Sequence, residues 1–214
     1  MARIACLGVI SLFLLTAGAS TQAGSFQVEQ VPKDAQWVVH VNANAARSSE
    51  VVDAFWKECM GTQSGKKDKT EQKFHEKWGF NPAKDLHGLT IYGKRIGSGC
   101  PVTIVYADLD EERIANAFKQ VSDPQTSKYE NRTIYSWQAG KAKHRHRAAF
   151  AFFKPDLVVM ARDTESVKSA LKVLQGKSSG LDDESPLAAD TPDGSTAIAR
   201  FTDLHDNDLD CPIT

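Results

Sequence analysis

A chain of 214 residues has room for one ordinary domain or two small ones. With 41% hydrophobic and 25% charged residues it can build a packed core, which argues against wholesale disorder. Its formal net charge of −1 argues against nucleic acid or any other polyelectrolyte as the main partner.

The first 23 residues read as an address. Arg3 supplies a positive start, Ile4 to Leu15 form an apolar run, and Ala17-Gly18-Ala19 and Thr21-Gln22-Ala23 both suit cleavage by signal peptidase. The run is short of the ~20 residues that span a bilayer. Residues 1–23 are therefore expected to be a signal peptide. The mature protein is expected to be secreted or periplasmic, with no transmembrane span. Export permits disulfides, but Cys59, Cys100 and Cys211 are an odd set. No obligatory bridge is expected, and Cys100 with Cys211 is the pair to consider if one forms.

Beyond the leader, Gln36 to Val41 is a β-branched strand entered through Pro32. A helix follows, capped by Ser48 or Ser49, with Val52, Phe55, Trp56, Cys59 and Met60 on one face. Residues 61–69 are a polar linker, and Thr70 to Trp78 form a short helix stopped by Gly79. Leu86 to Tyr92 and Val102 to Ala107 pair as a hairpin. Asp108 or Asp110 then caps a helix through Val121 with Ile114, Ala117 and Phe118 inward. Thr133 to Trp137 is a strand. The clearest unit comes next: an apolar run from Ala148 to Phe153, a Lys154-Pro155-Asp156 turn, the strand Leu157 to Ala161, and a helix capped by Asp163 or Thr164 and ended by Gly176. Thr196 to Phe201 is the last strand, and residues 202–214 are a polar tail.

Ile114 to Lys119 and Val167 to Lys172 share a pattern, and each helix follows an apolar strand ending in aspartate. This internal repeat gives the order β-α-β-β-α-β followed by β-β-α-β. We read it as an α+β fold over residues 31–201: a mostly antiparallel sheet with helices on one face, ferredoxin-like (split βαβ) with additional strands. Three stretches carry a likeness: Pro32 with Asp34-Ala35 and Trp37 to Val41, Leu86 with Gly88 to Gly93, and Ala170-Leu171 with Val173-Leu174 and Gly176 to Ser178. They resemble exported bacterial, chiefly planctomycete, proteins of unknown function with repeated ββα units. The resemblance implies an exported module of this architecture, and it supplies no catalytic residues. Proteins of that group continue into a further repeat, so the resemblance raises the expectation, left open by the residues, that this chain is a shortened member of a longer pattern.

Candidate chemistry is sparse. His144 and His146 would point the same way in a strand and can hold a zinc or copper ion given a third ligand, with His40, His87 and His205 available. The competing reading is a solvated basic approach from Lys141 to Arg147. Gly61 to Lys67 echoes a phosphate loop but has the wrong glycine spacing and follows a helix. Asp206, Asp208 and Asp210 alternate like calcium-loop ligands, without the required glycine or the closing glutamate. Asp108, Asp110, Glu111 and Glu112 at a helix start are explained by capping and the helix dipole. No nucleophile elbow, His-Glu-x-x-His or Cys-x-x-Cys occurs.

The expectation is thus an exported, non-catalytic module without a cofactor, contacting a protein or envelope component through its sheet face or an edge strand. A metal protein or metal-dependent enzyme using His144 and His146 is the first alternative. A protease-inhibitor or pro-segment-like domain is the second, by fold analogy.

Overall fold

The computed structural model describes residues 24–47, 75–76, 78–95, 101–140, 145–192 and 195–202. They build one eight-stranded sheet. Its strands are β1 (Trp37–Asn42), β2 (Leu86–Gly93), β3 (Val102–Ala107), β4 (Gln125–Tyr129), β5 (Arg132–Ala139), β6 (His146–Lys154), β7 (Leu157–Ala161) and β8 (Ala197–Phe201). The spatial order is β4-β5-β6-β7-β3-β2-β1-β8. Short helices α1 (Ala43–Ala46) and α2 (Pro82–Asp85) border β1 and β2, and α3 (Glu111–Phe118) and α4 (Thr164–Leu174) are the two longer ones.

The run in β6 explains itself by position. Ala149, Phe150, Ala151 and Phe152 are all buried, because helices lie over both sides of this strand. Neighbouring residues of β7 divide between the two layers. Val159, opposite Ile104 and Ala151, belongs to a core with Val167, Ala170 and Leu171 of α4. Val158, opposite Val105 and Phe152, belongs to a second core with Phe118 of α3. Phe118 meets Tyr135, Phe150 and Trp137 edge-on, with centroids 5.1, 5.8 and 6.3 Å away, separations typical of favourable aromatic pairs.

The expected placement of the helices on one face is corrected here: α3 and α4 lie on opposite faces. The two strand–helix units are alike in pattern, but their strands end on residues of opposite parity. Ala107 shares the side of Val105, whereas Ala161 shares that of Val159. The linkers also differ, with residues 108–110 before α3 and residues 162–163 before α4. Every described strand pair is antiparallel. β1 and β2 are direct neighbours, and the helix-linked strands β3 and β4, and β7 and β8, have three strands between them, so the single intervening strand of a split βαβ unit is not seen among the described residues. The α+β class itself stands.

Both aspartate caps form. Asp110 accepts from the Arg113 amide at 2.9 Å, and Asp163 accepts from the Ser166 amide and hydroxyl at 2.7 and 2.8 Å. Gly176 ends α4 at φ 69°, a conformation glycine adopts without a steric penalty. Strand β4 was not expected. It pairs with β5 through a two-residue turn in which Glu130 has φ 54°. The expected helices at 49–60 and 70–78 lie largely outside the described residues, although residues 75, 76 and 78 are helical. Cys59, Cys100 and Cys211 lie outside them too.

The fully buried Leu171 sets a test of the α4 layer. Leu171→Ala should lower the unfolding free energy by about 2–5 kcal/mol in urea titrations, against about 0.5–2 kcal/mol for Asp163→Ala, which removes only the cap.

Candidate functional site

The histidines do not converge. His146 opens β6 opposite Ala139 on the exposed rim, while His144 and His205 lie outside the described residues. His40 sits on β1, which β7, β3 and β2 separate from β6, a lateral distance of about 19 Å at ordinary strand spacing. His87 turns elsewhere: its Nε2 is 3.0 Å from Asp108 Oδ1 and its Nδ1 3.3 Å from Asn44 Oδ1. Among the described residues, no group of three or more His, Cys, Asp or Glu side chains is placed to hold a metal ion. The acidic run at 108–112 divides its work, with Asp108 facing His87 and Asp110 capping α3. The tail aspartates and the glycine-lysine loop at 61–67 fall outside the described residues.

A buried polar cluster does exist around His40, which is only 4% exposed. Its Nε2 lies 2.9 Å from the Gly24 carbonyl and its Nδ1 2.9 Å from Thr90 Oγ1. A carbonyl only accepts, so Nε2 carries the proton and Nδ1 accepts from the threonine hydroxyl. Tyr106 closes the cluster, donating to Gln30 Oε1 at 2.7 Å. Burial pushes its hydroxyl up to about 12, with the Thr90 hydrogen bond opposing and Glu29 adding to the rise. These bonds clamp the segment from Gly24 to Gln30 onto the sheet. Gly24 is itself a required glycine: φ is 95°, and a Cβ there would stand 2.2 Å from the His87 carbonyl oxygen. By sequence alone His40 is only a possible third metal ligand. Its place beside Val38 on the buried side of an alternating strand was the available signal.

The second feature is the β8 edge. The Asn42 amide donates to the Thr196 carbonyl and the Thr202 amide to the Gln36 carbonyl, both at 2.8 Å. Residues 196, 198, 200 and 202 therefore direct their backbone groups to β1. Ala197, Ala199 and Phe201 direct theirs away from it. The side chains of those same three residues are exposed, Phe201 by 42%. Phe201 stands opposite Trp37 of β1. Arg200, the charged residue of β8, is turned inward, donating to the Leu187 and Asp190 carbonyls at 3.0 and 3.2 Å and to Thr191 Oγ1 at 2.8 Å. The opposite edge is different: β4 is Gln-Thr-Ser-Lys-Tyr, polar and exposed over its first four residues.

Burial lowers the His40 pKa, with the Gly24 hydrogen bond opposing. In the unfolded chain the imidazole gains its proton near pH 6.5, before the folded protein does. Stability is therefore intact above that pH and declines as pH falls through it. Urea midpoints measured at pH 8 and pH 5 should show this decline, and His40→Gln should have a shallower one.

Comparison with protein-family models, curated proteins and solved structures found no match.

Proposed function

We propose that this protein is an exported, non-catalytic α+β module that engages a protein partner by accepting an added strand along β8. The observation that carries the reading is the β8 edge. Three consecutive outward-facing residues, Ala197, Ala199 and Phe201, present backbone donors and acceptors with no charge, proline or bulge among them. Edge strands are normally protected by such devices, and an unprotected edge is a template for pairing. Strand addition draws affinity from the main chain and selectivity from alternate side chains. Here Phe201 and the neighbouring Trp37 supply an aromatic anchor at one end of the strand.

Export rests on the leader pattern of residues 1–23. The non-catalytic part is supported by how the polar groups are used. His40, Thr90, Tyr106 and Gln30 are committed to one another and to the chain segment they clamp. Asp108, Asp110 and Asp163 are committed to a histidine and two helix caps.

A photoreactive amino acid placed at position 199, in cells that export the protein, should yield one defined protein adduct. The same probe at Ser127 on β4 should yield none, and adding Ala197→Pro should remove the adduct at 199. Equal labelling from both edges, or no adduct from 199, would overturn the reading, as would a turnover that a single polar substitution abolishes.

A further inference from the structure

Resting on that reading, we infer that the strand received by β8 is the β8 of a second copy of this chain, paired antiparallel about a two-fold axis through Ala199. The argument is self-complementarity. The three residues with outward backbone groups are evenly spaced around Ala199. A two-fold there sets Ala197 opposite Phe201 of the second copy, Ala199 opposite itself, and Phe201 opposite Ala197. All three become hydrogen-bonded pairs, each exchanging an N–H and a C=O in both directions.

The side chains agree with this register. On the exposed face each large Phe201 lies beside a small Ala197, and two alanines meet at the axis, so no bulky groups collide. On the other face Ile198 lies opposite Arg200 of the second copy. The guanidinium of Arg200 is already held by two carbonyls and a hydroxyl on its own chain. Moving the axis to Arg200 would bring two arginines face to face, and like charges directly opposite are destabilising. Moving it to Ile198 would take Phe201 off its alanine and shorten the ladder. The axis at Ala199 uses the whole of β8 and joins two eight-stranded sheets into one. A contact of this length belongs to the small, reversible class of interfaces, so the dimer should depend on concentration.

Sedimentation of the purified mature chain over a concentration series should show the mass rising from one chain to two. Ala199→Lys alone and Ala199→Glu alone, each placing like charges across the axis, should stay monomeric where the parent is dimeric. Mixing the two in equal amounts should restore the dimer. The 199 side chain is exposed and its backbone groups point away from β1, so both variants should keep the parent's unfolding midpoint at dilutions where the parent is monomeric. Phe201→Ala gives an independent reading, weakening association by roughly tenfold as the two contacts between a Phe201 ring and the facing Ala197 are lost.

A parent that stays monomeric throughout, or an Ala199→Lys variant that dimerises as well as the parent, would overturn self-pairing. In that event the probe at 199 separates the two ideas. An adduct with a different protein would leave strand addition standing with another partner, whereas no adduct would remove both.

Discussion

The ladder between β3 and β7 is the joint on which the molecule depends. Thr103 to Tyr106 pairs with Met160 to Leu157 at the middle of the sheet, and each strand brings its own hairpin partner and its own following helix. Alternate residues of these two strands feed two separate cores. Ile104 and Val159 feed the layer under α4, and Val105 and Val158 feed the layer under α3. Each fully buried side chain of this kind contributes about 1.5–3 kcal/mol. The layers are coupled because the residues supplying them alternate along the same strands. A slip of one residue would exchange the two sets of side chains.

The N-terminal segment and the stretch after α4 complete the α4 layer. Val31, Leu181 and Leu187 close it, and the Leu181 amide donates to the Val31 carbonyl at 2.8 Å. The bridge between Pro32 and Gly180 continues this contact, and Gly180 sits where a Cβ would be 2.2 Å from the Glu29 carbonyl oxygen. Among the described residues each of these segments has only one short 3₁₀ turn, at Val28–Gln30 and at Pro186–Ala188, so tertiary contacts hold them. The His40 cluster is one such contact. A buried imidazole that must stay neutral ties the fixing of Gly24 to pH.

Much of the local structure was legible because its causes are local. The Pro155-Asp156 turn, the aspartate caps and Gly176 are short-range signals, and Val102–Ala107 and Leu157–Ala161 fall where apolar β-branched runs put them. Strand β4 was not legible. Gln125 to Tyr129 has neither apolar alternation nor branched enrichment, and it is a strand because β5 offers it a ladder. The side on which each helix lies was hidden for a related reason: it turns on strand-end parity and linker length, which the period of the apolar residues does not encode. The candidate site was harder still. His144 and His146 drew attention by spacing alone, whereas an edge has meaning only once the strand order is known. The pairing that sets β8 beside β1 joins Phe201 to Trp37 across most of the chain.

The two edges show how differently one sheet can be finished. At β4 the exposed residues are polar, and Lys128 reaches across to the Thr133 hydroxyl at 2.7 Å, the kind of edge that water satisfies and other strands avoid. At the far end β1 carries Trp37, Val38, Val39 and Val41, and left open it would be the more adhesive strand. β8 covers β1 and satisfies its backbone, but in doing so it moves the open edge outward by one strand instead of ending it. The new edge is short and small, and its only charge is folded back onto carbonyls of the same chain. An edge that shields a stickier strand while remaining able to pair limits which strands can follow. Alanines at its centre admit a close neighbour only in a register that keeps bulky side chains apart, so any strand added at β8 would be confined to such a register.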